Sequence, residues 1–398
     1  MSTKTVAIVG GGIAGLVASL CFARQGIASR IFEKSPQLLE VGAGLQLTPN
    51  VTWILDELGV LENLRTRWHE PDVVALASGI SLKRLCNVPV GAHAKSRWQA
   101  PYGVLHRATL QQALLEAVAQ NPLCSLTLDQ RVESPDAQIL RDPQTGERPD
   151  LLIAADGVWS RLRNFVAGGP DVSFSGSIAW RVALPQAEAP AFLDRQSVTA
   201  FLGPNAHMVT YPLRDTDSIN IVAIGAGVDP GEGWAAQTQE SQALLLERAF
   251  KGWNSEICTM LANAKGNMTF WPLFQAGNGR WHNDKDLVLI GDAAHAMLPF
   301  SAQGAAMAIE DAFELADLVS SRSIPQALAA YEASRQKRVS AVRKRGAINK
   351  FAYHAKGPLQ IGRDVLLSLR SSDSFARDLD WLYGYRPFSR SGRPETFR

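Results

Sequence analysis

The sequence predicts an α/β fold in which a parallel sheet wrapped by helices is interleaved with an antiparallel β-sheet unit and followed by C-terminal helices. Three observations carry that prediction. At the N-terminus a buried-strand pattern, a glycine turn and a helical pattern follow one another. A second strand–loop–helix succession begins near Asp286. Between them, from about Ser173, the α/β rhythm gives way to alternating runs joined by Gly, Pro and Asp turns.

The N-terminal unit is the most explicit. Thr5 to Val9 is a short β-branched apolar run, the pattern of a strand buried on both faces. Gly10-Gly11-Gly12-Ile13-Ala14-Gly15 fits G-x-G-x-x-G, and Leu16 to Gln25 reads as a helix closed by Gly26. Ala28 to Glu33 returns as a second strand ending in a carboxylate, 18 residues beyond Gly15. Such glycines let the backbone approach a pyrophosphate seated on the helix N-terminus, and Glu33 is placed to accept hydrogen bonds from ribose hydroxyls. The unit therefore binds a dinucleotide, although the motif alone does not choose between FAD and NAD. The uncharged stretch Val6 to Ala23 is about as long as a membrane span, but three adjacent glycines would break a helix there.

Composition narrows the function classes. A chain of 398 residues has room for about two to three domains at roughly 150 residues each. Hydrophobic residues make up 46% and charged residues 20%, a globular balance rather than a disordered one. Lys and Arg number 40 against 38 acids, so bulk electrostatics supply no grip on nucleic acid or an anionic membrane. Cys21, Cys86, Cys124 and Cys258 lie far apart with no C-x-x-C. That excludes a zinc ribbon or a disulfide scaffold, leaves no metal site expected, and suits a reducing compartment such as the cytoplasm.

Downstream, Asp286 to Ile290 is another buried-strand run. It leads into Gly291-Asp292-Ala293-Ala294-His295, then Pro299, then Gln303-Gly304, after which Ala305 to Val319 continues with helical spacing. An acid past a strand end can hold a ribityl hydroxyl, and N–H groups at the next helix start can stabilise negative charge on a flavin ring. Taken with the N-terminal fingerprint, this G-D-A-A-H-x-x-x-P-x-x-x-Q-G pattern resembles the single-component, FAD-dependent aromatic hydroxylases, the class A flavoprotein monooxygenases. Asp150 to Arg163 resembles that family's D-G motif around Asp156-Gly157, and His106-Arg107-Ala108-Thr109-Leu110 its H-R-x-x-L helix start. Gly42 to Asn50 resembles the stretch beside the flavin, and Leu379 to Tyr385 the end of the salicylate hydroxylase group.

The resemblance implies a Rossmann-like FAD-binding domain of the glutathione-reductase type, with FAD held by Gly12, Ile13, Ala14, Glu33, Lys34, Arg107, Val132, Asp156, Asp292, Gly304 and Ala305. Lys34 departs mildly from the Arg common at that place and offers a cation with less planar geometry. The implied activity is NAD(P)H- and O2-dependent hydroxylation of a small phenolic or N-heteroaromatic acid through a flavin C4a-hydroperoxide, with decarboxylation as a variant. With one dinucleotide fingerprint, NAD(P)H would bind transiently. His207 and Tyr211 lie four apart on an expected strand and so share a face. The resemblance makes His207 the general base and Tyr211 a substrate anchor. His295 is expected to be structural.

Gln46, Arg181, Pro299 and Phe300 are expected to line the substrate pocket, with Arg214 an alternative to Arg181 for pairing a carboxylate. The similar 6-hydroxynicotinate 3-monooxygenases carry His at the places of Gln46 and Phe300. The similar 3-hydroxybenzoate 6-hydroxylases carry Gln at the place of Pro299. This sequence has neither feature, which argues against both substrates.

The expected division assigns residues 1–72, 101–172 and 276–355 to the FAD domain, 73–100 and 173–275 to the substrate domain, and 356–398 to a C-terminal helical segment. Gln326 to Lys350 reads as a long helix whose basic run, Arg335 to Arg345, is expected to be a solvated face, with steering of anionic substrates as the alternative. A monomer or homodimer without nucleic-acid or membrane partners is expected. The competing class is a flavoprotein of the same fold without hydroxylase turnover, a redox sensor or reductase. A halogenase lacks its W-x-W-x-I-P motif here, and a plain NAD-dependent dehydrogenase would purify without yellow colour.

Overall fold

A computed structural model describes residues 4–38, 44–229 and 239–387. Strand Val6–Val9 sits at the centre of a five-stranded sheet ordered Leu287–Leu289, Leu151–Ala154, Val6–Val9, Ser29–Phe32 and Cys124–Thr127, every pair parallel. All four residues of Val6–Val9 are buried, because helices cover both faces of the sheet. Helix Ile13–Arg24 starts directly after Gly12 and stops where Gly26 takes a left-handed φ of +73°. It packs against helices Gly304–Ser321 and Arg107–Gln120. The segment with the length of a membrane span is thus a strand, a turn and a helix. Among the described residues no helix is long and apolar enough to cross a membrane.

The second sheet has seven strands, in the order Thr269–Ala276, Val172–Pro185, Ser218–Ala226, Ala206–Leu213, Val198–Gly203, Val73–Ser78 and Arg84–Pro89. All neighbours run antiparallel except Val198–Gly203 with Val73–Ser78, which pair in parallel. The purely antiparallel expectation is corrected at that junction. The two strands come from distant parts of the chain, so no hairpin fixes their relative direction. One face of the sheet sends Trp180, Phe201, Met208 and Ile221 against Phe250, Trp253 and Ile257. Phe250 and Trp253 lie in the turn between helices Gln239–Ala249 and Ser255–Ala264, and Ile257 in the second of these helices. The second helix went unpredicted. The opposite face turns toward the parallel sheet.

Helix Ile324–Tyr353 runs for 30 residues and is followed by helices Pro358–Leu369, Ser372–Arg377 and Asp380–Tyr383. Its basic run is only partly a solvated face. Lys337 and Lys344 are exposed, but Arg335 and Arg338 are buried. Arg335 reaches Asp311 and Glu310 at 2.8 Å each, and Arg338 reaches Glu310 at 2.9 Å. Those carboxylates sit on the buried face of helix Gly304–Ser321, and buried carboxylates require paired cations. Arg335, Arg338, Val339 and Val342 follow the helical period of one inward stripe, so the two arginines are core residues.

Candidate active site

Two recesses open beside the ends of the parallel strands and share a wall at Gly12, Ala155 and Gly157; only the second also reaches the seven-stranded sheet. The first is lined by Glu33, Lys34, Val132 and Asp156. The second, of about 330 Å³, is lined on the helical side by Gly12, Ile13, Ala14, Arg107, Asp292, Pro299, Gly304 and Ala305. Its other side is the seven-stranded sheet, with Arg181, His207 and Tyr211; Gln46 also borders it. All eleven residues expected to hold the cofactor therefore border one bipartite cleft, although they span sequence positions 12 to 305.

Local chemistry explains why the fingerprint takes this shape. Gly10 has φ +110°, and a Cβ there would collide with the Ala155 carbonyl, so the turn must be glycine. At Gly12, by contrast, a Cβ would meet nothing within 4 Å, because the backbone faces the open cleft at the start of a helix. Glu33 accepts the Gly11 N–H at 2.7 Å through Oε2 and the Ser35 N–H at 2.9 Å through Oε1. Asp156 accepts the Arg161 N–H at 2.9 Å through Oδ2, while its buried Oδ1 has no hydrogen-bond partner.

The downstream motifs are braced from behind. Arg163 donates to the Ala293 carbonyl at 2.8 Å, to the Asp292 carbonyl at 3.2 Å and to the Val158 carbonyl at 2.9 Å, locking the Asp156 and Asp292 loops together. Asp292 opens the short helix Asp292–His295 and is exposed to the cleft. Gln303, just before helix Gly304–Ser321, donates to Thr48 Oγ1 at 3.1 Å and accepts from Asn50 Nδ2 at 3.1 Å. Thr48 in turn donates to Asn50 Oδ1 at 2.6 Å. This closed, buried ring ties the loop before Gly304 to the start of helix Pro49–Glu57.

The sheet side is set by strand pairing. His207 lies opposite Ile224, Val209 opposite Val222 and Tyr211 opposite Asn220, while Val222 also faces Arg181 on the next strand. Strand alternation thus builds a floor with a basic group, a phenol and an imidazole among apolar side chains. Burial pushes His207 well below its usual pKa and His354 adds to the effect, so His207 is neutral at pH 7. Burial raises the Tyr211 phenol, with Arg181 opposing. Burial also lowers the Arg181 guanidinium; Tyr211 opposes this and Arg107 adds to it. The Arg181 Nε is buried without a hydrogen-bond partner.

Three placements differ from the expectation or extend it. Phe300 is not part of the cleft wall: it is buried behind His207, with ring centroids 5.1 Å apart. Helix Pro299–Ser301 is a single turn, so adjacent residues point apart; Pro299 faces the cleft and Phe300 the core. Gln46 lines the cleft but its Oε1 already accepts the Tyr102 hydroxyl at 2.5 Å. Gly44 donates to Asn220 Oδ1 at 2.8 Å and leaves room for the Tyr211 ring, which a Cβ would strike. Gly42 and Ala43 of that motif lie outside the described residues. Sequence reading missed Asn220, Val209, Val222 and Ile224, although counting by twos along the neighbouring strands would have found them.

Comparison with known proteins identifies the family. Residues 3–345 match the family model described as FAD binding domain. The chain is 34% identical over 397 residues to a 3-amino-4-hydroxybenzoate 2-monooxygenase of Streptomyces platensis, covering 96% of each. It is 33% identical over 391 residues to 3-hydroxybenzoate 6-hydroxylase 1 of Aquipseudomonas alcaligenes, covering 96% of this chain and 98% of that one. Among solved structures, a salicylate hydroxylase substrate complex superposes with a TM-score of 0.74 at 22% identity, over 97% of this chain and 96% of that one. That last likeness shows the fold alone. The chain belongs to the class A FAD-dependent aromatic monooxygenases. FAD is the cofactor of this class and NAD(P)H its cosubstrate.

Proposed function

We propose that this enzyme hydroxylates a small phenolic or N-heteroaromatic acid lying between the sheet floor and the start of helix Gly304–Ser321. The observation that carries this reading is Arg181, whose buried, unpartnered Nε sits on the floor of a cleft shared with Tyr211 and His207. A guanidinium in that setting gains most from a carboxylate ligand. Tyr211 would donate its hydroxyl hydrogen bond to the same end of the ligand. His207, neutral and at the cleft wall, would accept the proton of a ring hydroxyl, raising the electron density of the ring. Val209, Val222, Ile224 and Met297 line the same cavity and keep water away.

The residues present fit FAD. The unpartnered Asp156 Oδ1 and the open backbone at Gly12 and Gly304 leave a cradle that protein atoms do not fill. Glu33, Lys34 and Val132 would hold the adenosine end, Gly12, Ile13, Ala14 and Arg107 the pyrophosphate, and Asp156 and Asp292 the hydroxyl-bearing chain. Gly304 and Ala305 would direct helix N–H groups at the ring. When bound, FAD supplies the acceptance of hydride from NAD(P)H and the activation of O2. In the same reading the FAD domain comprises residues 1–72, 101–172 and 276–355, and the substrate domain comprises 73–100 and 173–275.

The test is a panel of hydroxybenzoates, aminohydroxybenzoates and hydroxypyridine carboxylates given to FAD-loaded enzyme. Stimulated NAD(P)H oxidation with a product heavier by one oxygen supports the reading; loss of CO2 would show as a lower product mass. Flavin-loaded protein whose NAD(P)H oxidation no acid alters would overturn it.

A further inference from the structure

His207 poses a chemical difficulty. It is 1% exposed, and the same burial that excludes water also disfavours an imidazolium there. A base that had to retain a substrate proton as a buried cation would be a poor one. The structure offers a way out. His207 Nδ1 lies 2.9 Å from Nε2 of His354, the residue that ends helix Ile324–Tyr353, and His354 is only half-buried. Two imidazoles joined in this way can pass a proton along without either holding a charge for long.

Accepting the proposed role of His207, we infer that His354 is the outlet for the substrate's hydroxyl proton, carried from the cleft through the His207–His354 hydrogen bond. The atoms balance as follows. The substrate O–H breaks as His207 Nε2–H forms; His207 Nδ1–H breaks as His354 Nε2–H forms; and His354 Nδ1–H breaks to give its proton to water or buffer. Each ring ends neutral, as the opposite tautomer, and ring rotation or the reverse transfer resets the pair.

The pair is held for this purpose. The His207 ring packs against Phe300 at 5.1 Å and Tyr353 at 5.3 Å, and Phe300 also meets His354 edge-on at 5.5 Å. Arg363 donates to the Ala352 carbonyl at 2.9 Å, and the Asn205 N–H to the His354 carbonyl at 3.3 Å, so the helix end cannot drift from the strand. The facing cation is Lys350, which lies 5.4 Å over the Phe300 ring and within 3.4 Å of Ser177 Oγ on the sheet. Together with burial, Lys350 lowers His354 to a pKa of about 4, so His354 is ready to release rather than store a proton. Phe300 therefore has a function although it does not touch the cleft: it insulates the relay.

The test follows the proton itself. Oxidised, FAD-loaded enzyme is mixed with 3-hydroxy-4-nitrobenzoate, whose phenolate absorbs visible light, and subjected to a rapid pH jump. In His354→Phe and His354→Gln, formation of the bound phenolate is expected to slow by roughly tenfold to a hundredfold, with flavin content and probe affinity nearly unchanged. His354→Gln retains a hydrogen-bond acceptor for His207 but cannot conduct through a ring. If His354 merely positioned His207, the Gln variant would match the wild type, and that result overturns the relay. A wild-type flavin spectrum that responds neither to this probe nor to any hydroxybenzoate would instead overturn the aromatic-acid reading, and the relay with it.

Discussion

His295 Nε2 lies 2.5 Å from Asp311 Oδ2, and both side chains are buried. The same oxygen accepts the Gly291 N–H at 2.9 Å, and the other takes Arg335 Nε at 2.8 Å. One carboxylate thus fixes the Gly291–His295 turn to two helices. His295 was expected to be structural, and here it is buried against Asp311 and does not line the cleft.

Acid sensitivity should follow from this contact. Burial pushes the Asp311 carboxyl up, but His295, Arg335 and the hydrogen bonds outweigh it and hold the group at about 2. An ordinary Asp titrates near about 3.9. The folded value is the lower one, so the stabilisation is present above pH ~4 and lost as pH falls through about 2. Asp311→Asn is expected to cost about 1–3 kcal/mol at neutral pH, since it removes the carboxylate that His295 and Arg335 share, although Arg335 keeps Glu310. It should also lose stability less steeply than the wild type on acidification, measured by chemical denaturation at several pH values. Parallel losses in the two proteins would contradict the assignment.

Glu33→Ala should weaken FAD retention by roughly tenfold to a hundredfold, the scale of hydrogen bonds to a charged group. The variant also frees the Gly11 and Ser35 N–H groups that Glu33 now accepts. Flavin absorbance after exhaustive dialysis reads the effect. Full occupancy would remove Glu33 from the ribose site.

Much of this was legible in the chain because covalent order carried it. Strand, glycine turn, helix and Glu33 are contiguous, and turn chemistry at Gly10 admits few alternatives. Arg335 and Arg338 were misread because a charged stripe and a solvated stripe look alike in one helix; only the carboxylates of another helix show that the arginines are core. Phe300 was misplaced because a single-turn helix gives no periodicity to read. His354 was invisible, since its partner His207 lies 147 residues away. The parallel pairing of Val198–Gly203 with Val73–Ser78 is long-range in the same sense.

Gln303→Leu should disturb the loop before Gly304 without touching the sheet floor. It breaks the ring with Thr48 and Asn50 and leaves buried polar groups unmatched, at about 1–3 kcal/mol for each. The expected outcome is lower thermal stability and slower flavin reduction at unchanged ligand affinity. Unaltered reduction kinetics would show that the ring is structural only.

Arg181→Met is the sharpest test of the substrate class. The side chains are similar in length, so packing on the strand beside Val222 is largely kept while the guanidinium is removed. If Arg181 pairs a carboxylate, KM for an aromatic acid should rise by roughly tenfold to a hundredfold, the loss expected for charge-assisted hydrogen bonds. The corresponding neutral phenol, which has no carboxylate to lose, should be used about equally by both proteins. Arg181→Lys should recover only part of the affinity, because an ammonium cannot reproduce the bidentate fork. Equal penalties on the acid and the neutral phenol would place the carboxylate away from Arg181.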